Sequence, residues 1–316
     1  MARPLYFDCD TGIDDALALA YLLASPEIDL LGIGTVSGNT DNVTAATNTL
    51  NLLGLVGRSG IPVAIGERDP MVGEYHGGVP HIHGHNGVGN VELPASAVSP
   101  VDESAAELLV WLSHEYAGDL EIVTVGPLTN IARALELDPE LPDRIKSITI
   151  MGGAALVPGN ITPLGEANIA NDADAAAIVL RATWPIVLVP LDITLEHTFE
   201  ESHRQQLLAS DRPMAQALGN ILDIYFEFYV DLYGHRSSAL HDPLAAAIAV
   251  GGIVATIAPA VHVEVDDTDG PGRGQTICDL RGQRRGPRDQ PGAHTRVVLE
   301  TDRQLADHLV ERILSL

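Results

Sequence analysis

Short apolar runs alternate with helix-spaced apolar positions through most of this chain. The runs at 5–7, 28–36, 61–65, 120–125, 145–151 and 184–191 are rich in Leu, Ile and Val and predict strands. Between them, the spacing predicts helices over 13–23, 42–56, 102–117, 128–137 and 172–182. Asp41 or Asn42 would cap the second of these, and Asp102 or Ser104 begins the third. Strands that alternate with helices in this way predict an α/β fold with a mainly parallel central sheet covered by helices on both faces. One domain spanning 1–316 is expected. Two further helices, 199–209 and 211–234, break the alternation, and an Ala-rich helix follows residue 243. Residues 67–100, rich in Gly, His and Pro, read as a loop at the site. Residues 266–294 read as a surface hairpin region.

In a sheet of this kind ligands bind beyond the carboxyl ends of the strands. Polar residues gather at those ends: 10–15, Ser37-Gly38-Asn39, Val125-Gly126 and Met151-Gly152-Gly153. Composition narrows the partners. A formal net charge of −25 argues against nucleic-acid and anionic-membrane surfaces, which need a basic footprint. With 46% apolar residues there is ample material for a large core, yet no run approaches a membrane span. Cys9 and Cys278 do not make a disulfide framework, and residues 1–4 lead directly into a strand with no signal-peptide pattern. A cytoplasmic protein is expected.

The densest chemistry is Asp8-Cys9-Asp10-Thr11-Gly12-Ile13-Asp14-Asp15, placed where the first strand turns into the first helix. Helix-dipole preference accounts for one or two acids there, not for this many. Carboxylates repel, so crowding them points to a shared cation, and oxygen-only ligands favour a hard one. His241-Asp242-Pro243 offers an acid and a ligand at one point, or a plain helix start. Asn160, Glu166 and Asn168 could bond neighbouring hydroxyls, or form an ordinary polar loop. His81-Ile82-His83-Gly84-His85 would share one face on a strand, as zinc ligands do. The Gly-rich flanks favour a loop over the pocket instead.

The opening cluster resembles the signature of the inosine-uridine-preferring nucleoside hydrolases, D-x-D-P-G-x-D-D-A after a first strand. The resemblance continues in order through Val36-Ser37-Gly38-Asn39, His81-Ile82-His83-Gly84, residues 126–130, Met151-Gly152-Gly153, Gly159-Asn160, Glu166-Ala167-Asn168 and His241-Asp242-Pro243. It implies a calcium ion held by Asp10, Asp15, Asp242 and the carbonyl of Val125. It implies Asp10 as general base toward the attacking water and His241 as the acid that protonates the departing base. Asp14, Asn39, Asn160, Glu166, Asn168 and Asp242 would grip the ribose, and His81, Tyr225 and Tyr229 would flank the base. A homodimer or homotetramer fits the same resemblance. Thr11 stands where the family has Pro, Val125 where Thr is frequent, and Ala167 where an aromatic residue is common. The last change opens the pocket near the 5′-hydroxyl or the base.

Two other readings remain at this level. Asp8-Cys9-Asp10-Thr11 also matches the D-x-D-x-T of haloacid-dehalogenase-type, Mg²⁺-dependent phosphatases, with Asp8 as nucleophile; that family also needs a separate Lys or Arg, and Lys146, the sole lysine, lies before a strand rather than facing a phosphate. A non-catalytic ribonucleoside-binding protein is the second.

Overall fold

The computed structural model describes residues 2–283 and 285–316. Its strands are β1 (Arg3–Cys9), β2 (Ile28–Thr35), β3 (Val63–Ile65), β4 (Leu120–Thr124), β5 (Ile145–Met151), β6 (Ile186–Val189), β7 (Thr198–Glu200), β8 (Ser237–Ala239), β9 (Ala255–Ile257), β10 (Ala260–Val261), β11 (Val263–Val265), β12 (Thr276–Cys278), β13 (Thr295–Val297) and β14 (Glu300–Thr301). The main helices are α1 (Ile13–Leu23), α2 (Asn42–Leu55), α4 (Ala105–Glu115), α5 (Thr129–Leu137), α8 (Ala173–Arg181), α10 (Glu201–Leu208), α11 (Pro213–Tyr233), α12 (His241–Val250) and α13 (Ala306–Leu314). Short helical turns stand at α3 (Pro80–His83), α6 (Leu141–Arg144), α7 (Ala167–Asn171) and α9 (Leu191–Thr194).

Eight strands form one sheet in the order β3-β2-β1-β4-β5-β6-β13-β10. All neighbours are parallel except the edge pair β13–β10. The inner strands are buried on both sides. Leu5, Phe7 and Cys9 of β1 join the core with α1, α2, α11, α12 and α13, while Tyr6 joins the core under α4, α5 and α8. Each fully buried Leu, Ile or Phe in these layers contributes about 1.5–3 kcal/mol of transfer free energy. Strand order reverses at β1: the chain leaves outward through β2 and β3, then returns to place β4 on the other side. Loops leaving β1 and β4 therefore diverge and open a crevice at their carboxyl ends.

Local chemistry sets the element boundaries. The Asp41 side chain accepts from the Val43 and Thr44 N–H groups and so caps α2. Ser104 and Glu107 cap one another at the start of α4, so that helix begins at 105 rather than 102. Pro213 opens α11, and left-handed Gly234 closes it. The helix expected from 199 starts two residues later, because Thr198–Glu200 pairs with Ser237–Ala239. Within 67–100 the described structure includes the turn α3. The 266–294 stretch holds one arm of an antiparallel pair, β11 with β12. That pair is not remote from the crevice: Thr276 Oγ1 accepts from Ala154 N–H at 3.2 Å, and Gln275 bridges to Gly165. No described helix is long and apolar enough to cross a membrane.

Candidate active site

Two helix starts converge on the crevice. Asp14 and Asp15 lie in the first turn of α1, and Asp242 lies in the first turn of α12. Helix N-termini favour negative charge, so both helices help to hold these acids ionised. Asp14, Asp15 and Asp242 are buried, and each presents a carboxylate oxygen within 4.8 Å of the others. Asp10 stands beside this trio rather than in it. Its backbone N–H donates to Asp15 Oδ1 at 3.0 Å, and its Oδ2 accepts from Asn39 N–H at 2.6 Å. Asp15 Oδ2 also accepts from Gly12 N–H (2.8 Å) and Asn39 Nδ2 (3.0 Å). Gly12 has to be glycine: a Cβ there would lie 2.5 Å from His83 Nδ1 and 2.7 Å from Asn39 Nδ2.

On the opposite wall Glu166 caps α7. Its oxygens accept from the N–H groups of Asn168 (2.9 Å), Gly153 (2.9 Å) and Ile169 (3.2 Å). Asn168 Nδ2 donates to the Val125 carbonyl at 2.8 Å and to the Met151 carbonyl at 3.2 Å. The Val125 carbonyl thus already has one donor, and a second lone pair remains for a ligand.

An aromatic wall comes from α11. Tyr225 and Tyr229 are four apart and share a face. Tyr225 O–H donates to Asp14 Oδ2 at 3.0 Å, and the Tyr229 hydroxyl lies 2.8 Å from His241 Nε2. His241 Nδ1 in turn lies 2.7 Å from Thr194 Oγ1.

The structure brings together Asp10, Asp14, Asp15, Asn39, Val125, Glu166, Asn168, Tyr225, Tyr229, His241 and Asp242. It does not bring in His81 or Asn160. His81 is exposed and packs edge-on against Phe228, with ring centroids 6.1 Å apart. The expected shared face fails because 80–83 is a helical turn, in which residues two apart point to opposite sides. His83 is the buried histidine here. Its Nδ1 accepts from Ile13 N–H at 3.0 Å and lies 4.0 Å from Asp14, and its ring lies 5.4 Å from that of Tyr225. Asn160 is exposed, and its oxygen accepts from Ala167 N–H. Pattern reading also missed Thr194 and Asp192. Asp192 accepts from the N–H groups of Ala155 and Leu156, both at 2.7 Å. The one available signal for these two was their place directly after a strand.

The electrostatics describe a site waiting for positive charge. Burial first, then the neighbouring carboxylates, drives Asp10 and Asp242 well above the usual carboxyl value. Burial, then Asp14, pushes Asp15 up to about 6. Glu166 is pushed up to about 6 by burial, against three backbone donors. Asp14 is raised by burial, with His241 opposing. Burial lowers His241, with Asp14 opposing, and takes His83 down to about 3, so His83 rests neutral at pH 7. Asp10 Oδ1 and Asp14 Oδ1 are sealed from solvent with no hydrogen-bond partner. Unpartnered buried carboxylate oxygens among so many neighbouring acids fit a divalent, oxygen-seeking cation.

The phosphatase alternative fails on geometry. Asp8 is fully buried under α4 and α5, where it accepts from Tyr6 O–H (3.2 Å) and Asn130 Nδ2 (3.0 Å). Lys146 pairs with Glu121 at 2.9 Å instead of facing the site.

Comparison with known proteins agrees with this geometry. The family model for inosine-uridine preferring nucleoside hydrolase matches residues 5–306. The inosine-uridine preferring nucleoside hydrolase of Crithidia fasciculata is 34% identical, over 96% of this chain and 94% of that protein. The solved plant nucleoside hydrolase PpNRh1 superposes with a TM-score of 0.92 at 32% identity, covering 100% of this chain and 99% of that one. A purine-preferring ribonucleoside hydrolase from Gardnerella vaginalis gives a TM-score of 0.88 at 33% identity, covering 99% and 97%. These matches set aside the non-catalytic alternative. With its carboxylate cluster at the strand-order reversal of a single-domain α/β fold, the chain belongs to the inosine-uridine preferring nucleoside hydrolase family, enzymes that hydrolyse ribonucleosides.

Proposed function

We propose that this chain is a calcium-dependent N-ribosyl hydrolase that releases free nucleobase from ribonucleosides. Asp10, Asp15, Asp242 and the Val125 carbonyl would hold the ion, and Asp14, which forms the close trio with Asp15 and Asp242, is near enough to share that task. When bound, the cation would acidify a water molecule and grip a vicinal diol.

The chain's own residues do the rest. Asp10 accepts the proton of the attacking water at Oδ1, the oxygen left without a partner. Asn39, Glu166 and Asn168 orient the ribose hydroxyls beside Asp14. As the N-glycosidic bond breaks, positive charge grows on the sugar ring, and the ionised carboxylates around it stabilise that charge. His241 delivers a proton to the departing base, and Tyr225 and Tyr229 wall the base. In this reading His83 takes the place beside the base first given to His81. Asn160 reaches the ribose only if its loop folds inward. The whole is proposed to work in the cytoplasm as a homodimer or homotetramer.

The unpartnered Asp10 and Asp14 oxygens, beside buried Asp15 and Asp242, carry this reading. A panel of ribonucleosides, assayed by reducing-sugar release with chelator and then with Ca²⁺, Mg²⁺ or Zn²⁺ restored, tests it. Turnover lost to chelator and best restored by Ca²⁺ is expected. Full activity in chelator, or restoration by Zn²⁺ alone, would refute the assignment.

A further inference from the structure

His241 is held at both ring nitrogens by hydroxyl groups, Thr194 at Nδ1 and Tyr229 at Nε2. Thr194 ends the short turn α9 after β6 and is fully buried. Its hydroxyl makes no other hydrogen bond among the described residues. Tyr229 keeps 7% exposure on the crevice, where its hydrogen can turn to water, an outlet that Thr194 at 0% lacks, so the Thr194 contact decides the tautomer of the neutral ring. Were Nδ1–H to donate to Thr194, the threonine hydrogen would be sealed in protein with no acceptor, which folded interiors avoid. With Thr194 O–H donating to Nδ1, that hydrogen is satisfied and the ring proton sits on Nε2.

We propose that Thr194 is a positioning residue for His241: its hydroxyl fixes the plane of the ring and keeps the proton of the neutral ring on Nε2, toward Tyr229 and the base. The proposal rests on His241 being the group that protonates the leaving base. A hydroxyl suits this task because it works in both directions. It donates to a bare Nδ1 and accepts from Nδ1–H. The ring therefore keeps its plane when it takes a second proton from solvent at Nδ1; the imidazolium then passes its Nε2 proton to the base as the N-glycosidic bond breaks and is left neutral with its proton on Nδ1. A carboxylate in the same place could only accept. The position of Thr194 couples this contact to the sheet, since its own N–H donates to the Pro190 carbonyl directly beyond β6.

The test compares Thr194→Val, which keeps the shape without the hydroxyl, with Thr194→Ser, which keeps the hydroxyl. Two substrates are used: uridine, and a p-nitrophenyl riboside whose leaving group needs no proton. For Thr194→Val, kcat on uridine should fall about 10- to 100-fold, by analogy with the range seen when the group that orients a metal-bound histidine is removed. KM should change little, the aryl riboside should be hydrolysed at near wild-type rate, and Thr194→Ser should recover most of the loss. Nitrogen NMR of the resting enzyme, with His241→Asn identifying the signal, should show His241 protonated at Nε2 in wild type and mixed in Thr194→Val. Wild-type rates in Thr194→Val, equal losses on both substrates without recovery by Ser, or an Nδ1-protonated wild type would each overturn the proposal. His241→Ala separates the two claims. If it spares uridine, the acid assignment itself falls. If it harms uridine selectively while Thr194→Val does not, only the role of Thr194 falls.

Discussion

Asp242→Asn should make the ion-free protein more stable while removing its response to cation. The Asp242 side chain makes no hydrogen bond among the described residues, so an amide of the same shape loses nothing there. What it removes is repulsion. Two unit charges 4.8 Å apart, the outer separation within the Asp14–Asp15–Asp242 trio, repel by about 3.5 kcal/mol at an effective dielectric constant of ~20. Wild type can escape by protonating Asp242. From the usual value of 3.8, that escape at pH 7 costs about 4 kcal/mol, which is the ceiling on the penalty. A gain of about 3 kcal/mol is therefore expected, or roughly 4–5 °C in Tm for a chain of this size.

The sign of the pH dependence follows from the same shift. Folding raises the Asp242 carboxyl, so between pH ~4 and its folded value the native state holds a proton that the unfolded state has released. Ion-free wild type should lose stability as pH rises through that window. The variant should lose less, and the two should converge below about pH 4. Thermal melts in chelator at pH 4, 5.5 and 7, repeated with excess Ca²⁺, read all of this. Calcium should raise the wild-type Tm and leave the variant unmoved. A variant less stable than wild type in chelator at pH 7, or an equal calcium response in both, would refute the electrostatic account.

Other outcomes are open to measurement. Deoxyuridine should be hydrolysed with kcat/KM at least about 100-fold below uridine, because a site built around a hydroxyl is left with unpaired buried groups without it; comparable rates would contradict the ribose assignment. Tyr225→Phe deletes the O–H that donates to Asp14 Oδ2 and should lower kcat/KM about 10- to 100-fold, as expected for a hydrogen bond to a charged group; an unchanged value would remove Tyr225 from the site. In Gly38→Ala the new Cβ would lie 2.0 Å from Asp10 Oδ2, so that carboxylate must move; a loss of about 1–3 kcal/mol in stability by urea titration is expected, with calcium affinity weakened as well. Unaltered calcium binding in that variant would show that Asp10 is not a ligand.

Most of the longer elements were legible from sequence, and the shortest strands and the last helix were not. The ranges 13–23 and 145–151 coincide with α1 and β5, since the first has an acidic start and unbroken apolar spacing and the second is buried along most of its length. By contrast β10 and β13 are two and three residues long, too short to show alternation, yet both complete the main sheet. α13 carries a stripe at Leu305, Leu309, Val310 and Ile313 that pattern reading passed over. The carboxylate cluster was legible because no ordinary structural demand accounts for it. His83 was not separable from His81, because that choice depends on whether the segment is strand or helix. Thr194 was invisible for another reason: a lone threonine carries no signal until tertiary folding sets it against a histidine 47 positions away.

The crevice has two kinds of wall. One is built from strand ends and helix starts, where Asp10, Asp14, Asp15, Glu166 and Asp242 are fixed by backbone and core. The other is a loop rim outside the grouped site residues: the turn bearing exposed His81, and the segment with Leu156, Val157, Ile161 and Leu164 open to water. Side chains on the second wall carry little of the core's packing, so they can be exchanged at small cost to folding. A lineage could therefore retune which base is welcomed by rewriting the rim, while the bond-breaking apparatus beneath is inherited intact.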